Sequence, residues 1–113
     1  MADAFPNDPP PATATAFWTV APGRGELREA PLPAPGPGEV LIRLEGCGVC
    51  ASNVEPWEGQ PWSTWPGAPG GMGHEGWGRI VALGEGVSGL SVGDRVTALT
   101  ERSYAEYDVA RAD

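Results

Sequence analysis

A chain of 113 residues with a net charge of −8 and only seven cations, all arginine and scattered, has no basic stripe to neutralise phosphates. That argues against nucleic acid as a partner. The mass of 11.7 kDa allows one hydrophobic core and not two. No apolar run is long enough to span a membrane, and 17 glycines with 13 prolines disfavour long helices in favour of short strands and turns.

Residues 1–12 end in Asp8-Pro9-Pro10-Pro11, have little to bury and are expected to form a disordered tail. They contain neither a cationic region nor an apolar signal core, and two cysteines do not make a disulfide framework, so a cytoplasmic, reduced setting is expected. Ala16-Phe17-Trp18-Thr19-Val20 reads as a first strand. A turn over Ala21–Glu26 then lets Leu27–Ala30 pair back as a hairpin. Pro31, Pro33, Pro35 and Pro37 form an extended connector, because proline cannot donate to a ladder. Val40–Glu45 follows as an apolar strand. Cys47–Cys50 is a tight loop, Ala51–Trp57 makes one or two helical turns limited by Pro56, and residues 59–73 form a long loop of Gly, Pro, Trp, Ser and Ala. Further strands are expected over Gly76–Leu83, Asp94–Leu99 and Tyr104–Val109. Short strands at this spacing predict a mainly β antiparallel barrel or sandwich.

Two loops carry the chemistry. Cys47-Gly48-Val49-Cys50 taken alone is compatible with a zinc half-site, a redox pair or two buried small residues. His74, the one histidine of the chain, lies in Gly73-His74-Glu75-Gly76-Trp77-Gly78, where glycines let the backbone approach closely. Thiolate, imidazole and carboxylate are the usual ligands of zinc. Trp57, Trp62, Trp65 and Trp77 flank both loops, either as core packing or as an apolar wall around a substrate cleft. Two further patterns are turns. Gly84–Gly89 fits G-x-G-x-x-G, but no helix can follow it; Gly89–Gly93 fits G-x-S-x-G, but no histidine follows Ser91.

Taken together, Gly38-Glu39-Val40-Leu41-Ile42, Cys47-Gly48-Val49-Cys50-x-Ser52, Gly73-His74-Glu75-x-x-Gly78, Val81-x-Leu83-Gly84, Gly93-Asp94-Arg95-Val96 and Tyr104-Ala105-Glu106-Tyr107 occur in order. This series resembles the N-terminal, GroES-like catalytic domain of zinc-dependent medium-chain alcohol dehydrogenases. The resemblance implies a partly open antiparallel β-barrel with short helical turns over residues 13–113. It implies Cys50 and His74 as zinc ligands, with Glu75 as a carboxylate that exchanges with water at the metal. Ser52 would pass the alcohol proton toward solvent, Cys47 would be structural, and the Asp94 turn would close the barrel. The implied reaction is hydride transfer between a small-molecule alcohol or carbonyl substrate and NAD or NADP. The dinucleotide domain and a third ligand would lie beyond Asp113, so the 113 residues are expected to act within a longer protein, a homo-oligomer once full length. The alternative is a free-standing zinc-binding module without turnover. A metal-free reductase of the same superfamily is disfavoured by the Cys/His pair.

Three positions depart from the family pattern. Ala51 stands where a histidine or arginine is frequent, so the proton relay is expected to end at Ser52 or at water. Asn53 replaces an aspartate that supports the zinc histidine, which predicts a less basic imidazole. The four-cysteine structural zinc lobe is missing between Val96 and Tyr104.

Overall fold

The computed structural model describes residues 9–113, so residues 1–8 of the expected tail lie outside the described residues. Residues 9–12 carry no strand or helix, and regular structure begins at Thr13. Strands β1 (Thr13–Ala21) and β2 (Arg24–Pro31) form an antiparallel hairpin with Phe17 opposite Leu27. Its turn is confined to Pro22-Gly23 and is shorter than the six residues expected. Gly23 takes a φ of 66°, where a two-residue reversal needs a left-handed backbone.

The main sheet has the order β5-β4-β3-β6, all antiparallel, built from β3 (Glu39–Cys47), β4 (Gly76–Leu83), β5 (Arg95–Ala98) and β6 (Tyr107–Arg111). β3 lies inside this sheet, which explains its unbroken apolar run: Val40, Leu41 and Ile42 are all buried. Val40 and Ile42 pack with Ile80 and Ala98 as the core, flanked by Leu44, Val87, Leu90 and Val96.

The two sheets do not close on each other. They are joined by residues 104–106: Phe17 N–H donates to Tyr104 O at 2.8 Å, Glu106 N–H to Thr15 O at 3.0 Å, and Leu44 N–H to Glu106 O at 2.8 Å. This junction also shifts the last strand. The alternation of Tyr104–Val109 predicts a strand there, yet Tyr104–Glu106 bridge to β1 through Ala16 and Ala105, and pairing with β3 begins only at Tyr107. The barrel is therefore partly open. The two glycine-rich patterns after β4 are turns, with Gly86 and Gly89 at φ 79° and 80°. Ile80 N–H donates to Asp94 O, and Gly93 N–H to Ile80 O, so the Asp94 turn is fastened to β4.

Between β3 and β4 the chain makes a 3₁₀ turn (Ala51–Asn53) that runs into a short helix α1 (Val54–Glu58). Pro56 does not break α1, because it lies in the first turn, where its missing N–H would have no helical partner. The long loop that follows is anchored to β1 by Gly67 N–H to Thr19 O and Gly70 N–H to Phe17 O, both 2.8 Å.

Candidate metal centre

The register of β3 and β4 sets the site. Cys47 closes β3 directly opposite Gly76, which opens β4. The loop leaving Cys47 and the loop arriving at Gly76 therefore emerge at the same rim of the sheet. Gly48 N–H donates to Glu75 O at 3.1 Å and ties the two loops together. Gly73 has to be glycine on grounds of space, since a Cβ there would lie 2.5 Å from the backbone nitrogen of Tyr104. The close approach expected of the glycine-flanked histidine is thus real, and it is made against residues 103–104.

The result is a cluster in which Cys50 Sγ, a ring nitrogen of His74 and a carboxylate oxygen of Glu75 lie within 4.8 Å of one another. His74 Nε2 is 3.8 Å from Glu75 Oε2. A tetrahedral zinc with ordinary bond lengths holds such donors about 3.3 to 3.6 Å apart. The Nε2–Oε2 pair reaches that spacing with a contraction of about 0.4 Å, and a pair at the 4.8 Å limit of the set with one of about 1.2 Å. Ser52 Oγ completes the group: it donates to Cys50 Sγ at 3.3 Å and lies 3.5 Å from His74 Nε2. Cys47 stands apart from the cluster and hydrogen-bonds to Gly48 O.

The electrostatics follow from these contacts. The Ser52 hydroxyl, then its backbone N–H, then His74 hold the Cys50 thiol below the usual cysteine range. The Cys50 sulfur, followed by the Met72 carbonyl, raises the His74 imidazole. Burial pushes the Tyr104 hydroxyl up, which keeps it a donor.

The support of His74 differs from the sequence reading. Asn53 makes no hydrogen bond to the imidazole. The partner of His74 Nδ1 is the backbone carbonyl of Met72 at 3.0 Å, and Asn53 Nδ2 donates to that same oxygen at 2.8 Å. A neutral imidazole with its proton on Nδ1 presents the Nε2 lone pair to a metal. Sequence reasoning missed Met72, whose role is played by its backbone, and Tyr104, which was legible only as part of a motif.

Members of the cluster line two clefts. Cys50 lines an apolar one of about 760 Å³ with Phe17, Leu44, Val49, Trp57 and Tyr104. Ser52 and His74 line a more polar one of about 1120 Å³ with Thr100, Arg102 and Arg111. Of the four tryptophans near the loops, Trp57 alone lines the apolar cleft; Trp62 and Trp77 are exposed.

A small β domain that brings a thiol, an imidazole and a carboxylate together at one rim, with a hydroxyl beside them, carries the donor types that zinc takes. Residues 36–110 match the alcohol dehydrogenase GroES-like domain, and the chain belongs to that family. It is 45% identical over 82 residues to a sorbitol dehydrogenase of Halalkalibacterium halodurans, covering 72% of this chain and 23% of that protein. It is 40% identical over 90 residues to an L-threonine 3-dehydrogenase of Pyrococcus horikoshii, covering 75% and 25%. The chain thus spans about a quarter of the length of the curated relatives it matches. Among solved structures it resembles a cobalt- and zinc-bound thermostable alcohol dehydrogenase from Pyrobaculum aerophilum, with TM-score 0.72 and 28% identity over 88% of this chain and 40% of that one. Acetophenone reductase from Geotrichum candidum in complex with NAD gives TM-score 0.75 and 25% identity over 92% and 39%. The relatives are dehydrogenases, so the family is one of oxidoreductases. Among the described residues no helix is long and apolar enough to cross a membrane.

Proposed function

We propose that residues 13–113 are the zinc-binding catalytic part of a cytoplasmic oxidoreductase. It would transfer hydride between a small-molecule alcohol or carbonyl and NAD or NADP. The observation that carries this reading is the convergence of Cys50, His74 and Glu75 donor atoms within 4.8 Å at the rim shared by β3 and β4. Cys50, His74 and Glu75 would hold the ion, and zinc there supplies the Lewis acidity that lowers the pKa of a neighbouring alcohol.

The rest of the chemistry belongs to side chains. Cys50 enters as thiolate, since Ser52 and His74 already favour its charged form. His74 keeps its proton on Nδ1 against Met72 O and turns Nε2 inward. Ser52 accepts the substrate hydroxyl proton and, being exposed, hands its own to water; Ala51 is also exposed and carries no group to extend the relay. Glu75 is half open to solvent, as a ligand that exchanges with water needs to be. Sorbitol and L-threonine dehydrogenases among the relatives support a hydroxyl-bearing small molecule as substrate.

Zinc analysis after exhaustive dialysis tests the site. Wild-type chain and Cys47→Ala should each retain one zinc, whereas Cys50→Ala should retain none. Equal zinc in wild type and Cys50→Ala sinks the assignment.

A further inference from the structure

We infer that β2 pairs edge to edge with β2 of a second copy of this chain, antiparallel and centred on Leu27. The surface belongs to the two-stranded sheet, so the inference stands apart from the metal assignment.

β2 has a strand partner on one side only. It pairs with β1, and among the described residues no other backbone hydrogen bond reaches residues 24–31. Seven of its eight residues are exposed, Ala30 being the exception. Such an edge presents N–H and C=O groups that a further strand can take up. Charged side chains ordinarily discourage this, because like charges meet when two edges approach. Here the order of the charges decides which strand is admitted.

Two identical edges meet antiparallel about an axis perpendicular to the sheet, so paired residues come from the same face, and successive residues do not. Centred on Leu27, Glu26 of each copy faces Arg28 of the other, Gly25 faces Glu29, and Arg24 faces Ala30. No like charges meet. Slid one way to the next same-face register, Glu26 would face Glu26 and Arg24 would face Arg28. Slid the other way, Arg28 would face Arg28. Opposite charges directly across a ladder stabilise it and like charges destabilise it, so the charges select the register centred on Leu27.

Both faces accept this pairing. On one face Phe17 stands opposite Leu27, which is 73% exposed, and packs against Trp57 and Tyr104 with ring centroids at 6.1 Å. A second copy sets the two Leu27 side chains together and makes a continuous apolar row from one Phe17 to the other. Leu27 lines the same cleft as Cys50, so the Leu27 of each copy would wall the cleft of the other. On the opposite face Arg28 lies over the Trp18 ring at 5.7 Å and pairs with Glu26 of its own chain at 2.6 Å. The second copy extends that pair into a cluster of four alternating charges. Glu29 is already engaged by the Thr13 and Thr15 hydroxyls, both at 3.1 Å, and meets only the uncharged Gly25. One strand edge buries less than the roughly 1,200 Å² of a standard interface, so the association is weak.

Sedimentation equilibrium of the 113-residue chain from about 10 µM to about 1 mM tests it. The salt is physiological, where the net charge of −8 is screened beyond about 8 Å. Wild type should rise from 11.7 kDa toward twice that mass. Glu26→Arg sets arginine against Arg28 of the other copy, and Arg28→Glu sets glutamate against Glu26. Each variant alone should therefore associate about tenfold more weakly or worse. An equal mixture of the two regains both opposite-charge pairs across the axis and should associate about as well as wild type. That recovery separates pairing from loss of the intrachain Arg28–Glu26 bridge, which both variants lack. If circular dichroism shows either variant unfolded, Leu27→Lys takes its place, sets two cations on the axis and should stay monomeric. Wild type fixed at 11.7 kDa throughout, single variants that associate like wild type, or a mixture no better than its components would each overturn the inference. Wild-type association in Leu27→Lys would do the same.

Discussion

Gly78→Ala tests whether the β3–β4 register builds the site, because it wedges those strands apart without touching a ligand. A Cβ on Gly78 would lie 2.0 Å from Arg43 O and 2.8 Å from Leu44 Cα. Ordinary carbon contacts sit at about 3.5 Å, so the overlap is about 1.5 Å. The obstructing atoms are backbone and cannot rotate away. Gly78 pairs with Leu44, beside a bulge between Leu44 and Gly46, so relief has to come from separating the strands there. Overpacking costs about 1 to 3 kcal/mol, and each ladder bond lost costs about 1 kcal/mol. A total of about 3 kcal/mol should lower Tm by about 12 °C in a domain of this size. Circular dichroism melts check it, with Gly86→Ala as the control. Gly86 has no heavy atom within 4 Å of its would-be Cβ but a φ of +79°, so alanine there should cost about 1 kcal/mol from backbone strain alone. A Gly78→Ala melt within about 4 °C of wild type, or equal to that of Gly86→Ala, would refute the close-approach argument.

Substitutions at two further positions probe the electrostatics. Ser52→Ala removes the largest influence holding the Cys50 thiol down, so its titration should move up toward that of an ordinary thiol. A depressed thiol keeps its reactive thiolate to lower pH; the pH midpoint of iodoacetamide labelling at Cys50 in metal-free protein should therefore rise in Ser52→Ala, and a fall would contradict the assignment. Asp108 is 2% exposed and accepts from the Thr100 and Ser103 hydroxyls and from Val109 N–H. Asp108→Ala strips these donors of a buried partner and should cost about 3 kcal/mol, whereas Asp108→Asn, whose amide the hydroxyls can rotate to meet, should cost less than half of that. Equal urea midpoints for the two variants would show that the carboxylate is not the anchor.

What was readable in the sequence had a local cause. Val40–Ile42 announced a strand because β3 is buried on both faces, and an unbroken apolar run is how such a strand looks in one dimension. The convergence of Cys50, His74 and Glu75 could be expected from sequence because few side chains carry the donor types that zinc takes. The arrangement around them could not. Met72 contributes a carbonyl that any residue possesses, held by a φ that no side chain signals. Asn53 was read as a weaker acceptor for the imidazole, whereas its donor end does the work, on a backbone oxygen 19 positions away. Tyr104–Glu106 alternate as a strand would, but they join the two sheets, a tertiary contact that local periodicity cannot distinguish from ladder pairing.

The pairing of Cys47 with Gly76 also separates two jobs that chain length would otherwise link. The donors are spaced by a strand ladder, not by the 28 residues that run between those two positions. The excursion around exposed Trp62 therefore does not set the geometry of the cluster, provided its anchors on Thr19 and Phe17 remain. The loop is free to lengthen, shorten or change composition at that tip while thiolate and imidazole keep their separation. A scaffold built this way can be given a new entrance without rebuilding its centre.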